Sequence, residues 1–173
     1  MNVQSLIAIT ALSLTSSLSS AQESSIYTHW HKLANEAGAE LLVGDYPYAA
    51  WYSQQSFEDK EWEGYWFAHP VKKKGMKLSI YIPESESIES QAFSFFHELG
   101  HVTDDNNGKT FDTTWDNEVS AWSTGRKLMM INQPNFSQSN MKDGLTGSLS
   151  TYLKGLPDDQ IKWNRALKEI FSN

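Results

Sequence analysis

Two histidines separated by three residues lie in one stretch of helical spacing near the middle of the chain. The segment His97-Glu98-Leu99-Gly100-His101 falls within residues 88–103. On a helix, residues i and i+4 lie one above the other, so both imidazoles can converge on one ion, and zinc accepts imidazole nitrogen readily. Glu98 can accept a proton from a water molecule at the metal. The pattern predicts metal-assisted hydrolysis, and the alternative is an amphipathic helix carrying two ordinary histidines.

The composition limits the class of protein. A chain of 173 residues with 39% hydrophobic residues, 7 Trp, 7 Tyr and 8 Phe is long enough for one domain with a real core. A net charge of −7 without a basic stripe argues against nucleic acid as a partner. The chain has no Cys, which excludes disulfides, thiolate zinc ligands and a Cys nucleophile.

The N-terminal residues are typical of an export signal. The segment Leu6 to Leu14 is apolar, and small residues follow it up to Ala21. This stretch is too short to span a membrane, so we expect residues 1–21 to be a signal peptide cleaved after Ala21. The prediction is one domain over residues 22–173 in a secreted or periplasmic protein, without stable membrane insertion after cleavage. An uncleaved apolar helix or anchor is the alternative.

The first half of the mature chain predicts one helix and a small sheet. Helical spacing runs from Ile26 to Val43, and Gly44 ends it. Three aromatic or β-branched segments then predict an antiparallel sheet, at Tyr48–Tyr52, Gly64–Ala68 and Lys77–Ile82. In the last segment apolar and other residues alternate, which predicts a strand with one buried face.

The second half predicts helices. Ser87 is a good N-cap for the histidine helix, and Asn106-Asn107-Gly108 is a stop signal. A second helix should begin near Thr113 or Thr114 and end at about Ile131. Two weaker helices are expected at Ser139–Lys154 and Asp158–Phe171, separated by Gly155-Leu156-Pro157. The fold class is therefore α+β, with a small sheet packed on the N-terminal helix and the histidine helix, and a mostly helical C-terminal part.

A third metal ligand must be a carboxylate, because no His follows His101. The face of the second helix that carries Glu118 continues as an apolar stripe, so packing of that stripe on the first helix would direct Glu118 at the ion. The small Gly125 on this face would let the two backbones come close. We favour Glu118 over the other acidic candidates, which in descending order are Asp116, then Asp104 or Asp105, with Asp112 also in range. The alternative for Glu118 is a first-turn acid that serves the helix dipole.

Two of these acids have other predicted roles. Asp116 is suited to a capping box with Thr113 at the start of the second helix. Asp105 lies on the His face of the first helix but one turn further on, where it could support a ligand rather than bind the ion.

Two short motifs in this part of the chain resemble those of a known protein family. His97-Glu98-Leu99-Gly100-His101 followed by Asn117-Glu118-Val119-Ser120-Ala121 resembles the gluzincins, zinc peptidases with two His and a downstream Glu as ligands, and in particular the small ImmA/IrrE-type peptidases. The resemblance covers about residues 76–130. It implies a zincin-like fold, one zinc ion on His97, His101 and Glu118, and Glu98 as the general base. ImmA/IrrE-type proteins are usually intracellular, which distinguishes them from a chain with an export signal.

The predicted function is an exported zinc endopeptidase acting on a protein or peptide, and the sequence leaves the oligomeric state open. The oxyanion needs a donor besides the metal, for which Tyr152 and Arg126 are candidates. We expect the substrate to bind extended along Lys77–Ile82 as a sheet edge, unless this is an interior strand. The alternatives are a catalytically silent zinc-binding protein of the same fold and a hydrolase of a cell-wall peptide amide.

Overall fold

The structure of the protein is a computed structural model that describes residues 20–45, 50–53, 78–133, 135–136, 138–150, 152–153 and 158–171. Within these ranges it contains five helices and one three-stranded sheet. The mixture of helices with a small sheet agrees with the predicted α+β class. In chain order the elements are α1 (Ser20–Glu36), β1 (Ala39–Gly44), β2 (Ala50–Ser53), β3 (Leu78–Pro83), α2 (Ile88–Asn106), α3 (Thr114–Asn132), α4 (Gln138–Ser150) and α5 (Asp159–Phe171).

The sheet has the order β1-β3-β2, and it is mixed. β1 runs parallel to β3, with Leu41 opposite Ile80, whereas β2 runs antiparallel to β3. The predicted antiparallel sheet is therefore wrong at the β1–β3 pair. β1 and β3 can pair in parallel because the connection between these two strands is long enough to return the chain to the end of the sheet where β1 begins. The predicted strand at Gly64–Ala68 lies outside the described residues.

The central position of β3 corrects two further predictions. All six of its residues are buried, including Ser79 and Tyr81, so both faces of the strand are covered. A strand with neighbours on both sides also has no free edge, and a peptide cannot add to it. The predictions of one buried face and of a substrate-binding edge at Lys77–Ile82 are both wrong.

The predicted helix from Ile26 to Val43 is too long. α1 ends at Glu36, and Gly38 follows with a φ of 78°, a left-handed conformation that ends helices. The next residues form β1, where Leu41 is buried against the sheet. Pairing with β3 therefore overrides the helical spacing of this segment.

The boundaries of the two central helices match the prediction. The Ser87 hydroxyl accepts a hydrogen bond from the Ser90 backbone N–H at the start of α2, and Asn107 caps its end. At the start of α3, Thr113 accepts one from the Asp116 N–H. The two later helices also form, although α4 ends at Ser150 rather than Lys154.

One hydrophobic core joins these elements. The Trp30 ring of α1 stacks on Phe95 of α2 with 5.2 Å between ring centroids, and α2 also packs against β3 and β2. Met141, Leu145 and Ile170 bring α4 and α5 into the same core. No described helix has the length and apolar character needed to cross a membrane. The predicted export signal lies outside the described residues, except for its last two, which begin α1.

Candidate metal centre

The two histidines of α2 lie on one face of the helix, as their spacing predicts. The ring centroids of His97 and His101 are 4.7 Å apart. Potential ligand atoms of His97, Glu98 and His101 all lie within 4.8 Å of one another. Each of these side chains is buried, with 8%, 7% and 4% of the residue surface exposed. Helix α2 thus presents two imidazoles and one carboxylate to a single small volume.

Helix α3 brings a second carboxylate into this volume. One oxygen of Glu118, Oε2, lies 3.2 Å from Nε2 of His97, and the other, Oε1, lies 3.5 Å from Nε2 of His101. Glu98 is more distant, with its Oε1 4.0 Å from the His97 nitrogen. Of the two acids, Glu118 therefore has the closer contact with both imidazoles, and Glu98 lies to one side.

Two glycines allow the helices to approach this closely. A Cβ on Gly100 would overlap the backbone oxygen of Ala121, and a Cβ on Gly125 would overlap the backbone oxygen of Phe96. Each glycine thus lies directly against the backbone of the opposite helix. The predicted close approach at Gly125 is confirmed, and Gly100 supplies the matching position on α2.

A buried carboxylate ties the same two helices together. Asp104, of which 1% is exposed, accepts hydrogen bonds from Ser120 Oγ at 2.6 Å, Thr124 Oγ1 at 2.8 Å and Lys109 Nζ at 2.7 Å. A buried carboxylate needs such partners, because without them its desolvation would be very costly. This Asp104 cluster fixes α3 against α2 one turn beyond His101.

The imidazoles have distinct surroundings. The His97 ring stacks on Trp122 of α3, with 4.3 Å between centroids and 25° between planes. His97 Nδ1 has no hydrogen-bond partner within the described ranges, so this stacking and the contact of Nε2 with Glu118 hold the ring. His101 has hydrogen bonds with Glu118 and with Asn117 of α3.

The charges of the cluster shift its titration. Burial would raise the pKa of Glu118, but hydrogen bonds and charge from His101 and His97 outweigh it and hold that pKa far below its ordinary value. Burial would lower the pKa of His101, but the contact with Glu118 raises it overall. The pKa of Glu98 is raised, because burial outweighs the neighbouring histidines. Glu118 is therefore the ionised acid of the pair, and Glu98 is the more basic one.

The two predicted oxyanion donors fall in different places. Tyr152 follows α4 and is half-buried; burial and the charge of Glu118 raise the pKa of Tyr152 to about 12. The Arg126 guanidinium lies 5.2 Å from the centroid of the Phe171 ring, and it is not among the charges that shift Glu98 or Glu118. The charge of Glu118 therefore acts on Tyr152, whereas Arg126 packs against α5.

The side chains of this cluster are of the kinds that bind metal ions. Ligands at about 2.0–2.1 Å from zinc in tetrahedral geometry are separated from one another by about 3.3 Å. Each imidazole nitrogen has one Glu118 oxygen at a comparable distance, Oε2 at 3.2 Å from His97 and Oε1 at 3.5 Å from His101. Imidazole nitrogens and carboxylate oxygens are also ligands that zinc accepts. The buried group of His97, Glu98 and His101 could therefore hold a metal ion, and Glu118 contacts both imidazoles of this group.

The other acidic candidates are placed elsewhere. Asp116 lies in the first turn of α3, where its N–H donates to the Thr113 hydroxyl as in one half of the predicted capping box, and its Oδ2 accepts a 2.7 Å hydrogen bond from that hydroxyl. Asp104 is occupied by its own cluster. Asp105 lies in the last turn of α2 and is partly exposed, and Asp112 is exposed in the loop between α2 and α3, whereas both imidazoles are buried.

Sequence reasoning did not identify the partners of Asp104. Ser120 and Thr124 lie one turn apart on α3, and this spacing is a signal that they face the same neighbour. Lys109 lies in the loop between the helices, where spacing carries no such signal.

Comparisons of the chain with protein-family models, with curated proteins and with solved structures returned no match. The geometry of the cluster therefore carries the functional argument by itself.

Proposed function

We propose that the protein is a zinc-dependent peptidase of the gluzincin type, with His97, His101 and Glu118 as ligands and Glu98 as the general base. One observation carries the proposal: the two oxygens of Glu118 each lie close to Nε2 of a different histidine. Burial of an acid between two imidazoles is costly, so this arrangement is not expected in a core that serves packing alone. The arrangement leaves Glu98 beside the site and outside the closest ligand contacts.

The ion, when bound, would supply a Lewis acid that acidifies water and polarises a peptide carbonyl. The protein supplies the proton transfer. Glu98 is next to the first ligand, and its raised pKa makes it a better proton acceptor than an ordinary carboxylate. It accepts a proton from the attacking water and then donates it to the leaving amine, so that one side chain serves both halves of the reaction.

The test combines metal analysis with cleavage of a peptide library by the purified mature protein. We expect about one zinc per chain in the wild type and in Glu98→Gln, and a large loss of zinc in Glu118→Ala. Peptide cleavage should fall by roughly 10²–10⁴-fold in Glu98→Gln, as for removal of a general base. Glu84→Gln is the matched control, because Glu84 is exposed in the turn between β3 and α2 and should leave both measurements unchanged.

Burial of the cluster supports a second candidate, a structural zinc site in a protein without turnover, since structural sites are closed to solvent. A wild type that binds zinc but cleaves no peptide across a broad library would favour this candidate. Hydrolysis of a cell-wall peptide amide is the third outcome, and a screen with muropeptides separates it. Retention of Glu98 beside the ligands favours the enzyme, because a purely structural site has no use for a base.

An extended peptide substrate would have to pair with an outer strand of the described sheet. β3 is flanked on both sides, which leaves β1 and β2 as the outer strands among the described residues. We place the substrate at β2 in this proposal, because β2 packs against α2, which carries Glu98.

We also propose that the chain is exported, on the N-terminal sequence alone. Mass spectrometry of the protein recovered outside the cytoplasm should give a chain that begins at Gln22. A protein retained in the cytoplasm with Met1 in place would contradict this part of the proposal.

A further inference from the structure

The imidazole of His97 contacts two side chains of helix α3. Glu118 and Trp122 lie one turn apart on α3 and therefore share one face of that helix. An oxygen of Glu118 lies at the ring edge, 3.2 Å from Nε2 of His97. The indole of Trp122 lies on the ring face, with 4.3 Å between the ring centroids and 25° between the planes. The same face of α3 thus meets the imidazole from two directions.

The second nitrogen of this imidazole, Nδ1, bears on how the ring is held. A metal-binding histidine usually donates its second ring N–H to a carboxylate, a carbonyl or water, and that bond fixes the orientation of the ring. His97 Nδ1 is buried and has no hydrogen-bond partner among the residues that the structure describes. The stacked indole covers the face of the ring, so it can set the ring plane in place of such a bond.

The indole is itself firmly held. Trp122 is 4% exposed and belongs to the hydrophobic core. The backbone oxygen of its neighbour Ala121 lies directly against Gly100 of α2, so the two helices are close enough for the indole to reach the ring. The indole Nε1 is buried without a hydrogen-bond partner in the described part of the chain, so packing positions this side chain.

We propose that Trp122 is a positioning residue that fixes the plane of the His97 imidazole, so that Nε2 is directed at the metal ion before the ion binds. The inference rests on the proposed function in one respect, namely that His97 is a ligand. A ring that is already held in place loses less freedom when the ion binds, which increases affinity. The indole of Trp122 therefore contributes to zinc binding as well as to the core.

The test is the affinity of the full-length chain for Zn²⁺, measured by competition with a chromophoric chelator. Trp122→Leu removes the flat ring, and we expect its dissociation constant to rise about 10–100-fold, the usual effect of losing a group that orients a ligand. Trp122→Phe keeps a flat ring that can stack, so its dissociation constant should stay close to that of the wild type. Wild-type affinity in Trp122→Leu, or an equal loss in both variants, would overturn the inference.

Trp30→Leu is the matched control. Trp30 is also a buried tryptophan whose indole Nε1 has no hydrogen-bond partner within the described residues, and it stacks on Phe95 of the same helix α2 with 5.2 Å between centroids. Its replacement should lower stability in urea, as that of Trp122 does, and leave zinc affinity unchanged. An equal loss of zinc affinity in the two leucine variants would show a general effect of core packing and contradict the positioning role.

His97→Ala separates the inference from the proposed function. A His97→Ala variant that binds Zn²⁺ like the wild type would overturn the proposed ligand set, and the positioning role with it. A large loss of affinity in His97→Ala beside unchanged affinity in Trp122→Leu would overturn the positioning role alone.

NMR of the zinc-free wild type tests the ring position without any substitution in the core. The spectra are recorded at alkaline pH, so that protonation of the imidazoles does not contribute. The ring current of an indole shields protons above its face, so the carbon-bound ring protons of His97 should resonate upfield of those of His31, which is exposed on α1. Equal resonance positions would show that the imidazole is not held against Trp122 before the ion binds, and the inference would then be wrong.

Discussion

The hydroxyl of Ser120 donates a 2.6 Å hydrogen bond to Oδ2 of Asp104, across the boundary between the two helices that carry the metal centre. Asp104 follows His101 on α2, and Ser120 follows Glu118 on α3. The bond thus joins the two helices immediately beyond His101 and Glu118. If α3 slipped along α2, this bond would break and Glu118 would move away from the imidazoles at the same time.

Ser120→Ala should destabilise the protein by about 1.5–3 kcal/mol, the usual contribution of a buried hydrogen bond to a charged group. The Asp104 carboxylate would keep Thr124 and Lys109 as partners, which limits the loss. Urea unfolding of the metal-free protein measures the change. Thr28→Ala is the control, since its exposed hydroxyl bonds only to a backbone oxygen of α1, and it should change stability by less than about 0.5 kcal/mol. Equal stability of the two variants would show that the cluster contributes nothing.

Gly125→Ala should be destabilising although alanine is the better helix former by about 1 kcal/mol. The new Cβ would meet the backbone of α2 at Phe96 rather than a flexible side chain, so the helices must separate. Overpacking of this kind typically costs about 1–3 kcal/mol, and it should also weaken zinc binding by drawing Glu118 away. Thermal unfolding and zinc competition measure the two effects.

Lys127→Ala provides the comparison for Gly125→Ala. Lys127 is exposed on the same helix, so its replacement tests helix propensity without changing the contact between α2 and α3. Zinc affinity of Gly125→Ala equal to that of Lys127→Ala would mean that helix separation does not control the site.

The grouping of His97, Glu98, His101 and Glu118 was predictable because its signals are local. The spacing of His97 and His101 fixes their shared face, and the apolar stripe beyond Glu118 predicts which side of α3 meets α2. The caps Ser87 and Thr113 also act within one turn, and the structure has both where the sequence predicts them.

The sheet was less predictable because strand pairing depends on distant residues. The segment Ala39–Gly44 carries helical spacing, yet parallel pairing with β3 makes it a strand. The alternation in Leu78–Pro83 predicts a strand with one buried face, but all six residues are buried because both faces of this strand are covered. Lys109 bonds to Asp104 from a loop, and in a loop neither residue periodicity nor a helix-capping pattern predicts which side chains meet.

Removal of the metal should lower stability by an amount set by mass action. A free Zn²⁺ concentration 100-fold above the dissociation constant adds about 2.7 kcal/mol, which corresponds to roughly 5–10 °C in Tm for a chain of this size. Thermal scans with zinc and with a chelator should show this shift for the wild type and little of it for Glu118→Ala. Mg²⁺ is the control ion, because it prefers an octahedral set of oxygen ligands, and it should leave Tm unchanged. A comparable shift with Mg²⁺ would indicate nonspecific binding of cations.

The metal-free protein should be most stable at mildly acidic pH. The pKa of Glu118 is lowered from an ordinary 4.5, so its stabilising contribution is present above pH 4.5 and is lost as the pH falls further. The pKa of His101 is raised from 6.5, so its contribution is complete below pH 6.5 and is lost as the pH rises through the folded-state value. Glu98, with a raised pKa, adds to the loss on the alkaline side, starting above pH 4.5. Urea unfolding of the chelator-treated protein between pH 3.5 and 9, a range chosen to bracket these values, measures the profile.

Glu118→Gln tests the origin of this pH profile. The glutamine cannot ionise, so the acid-side loss from position 118 should disappear, and His101 should lose the partner that raises its pKa. The variant's stability should therefore depend less on pH on both sides of the maximum. Glu84→Gln again serves as the control, since an exposed acid should leave the profile of the wild type in place. If Glu118→Gln and the wild type gave parallel profiles, the contact between Glu118 and the two imidazoles would not control the titration of the cluster.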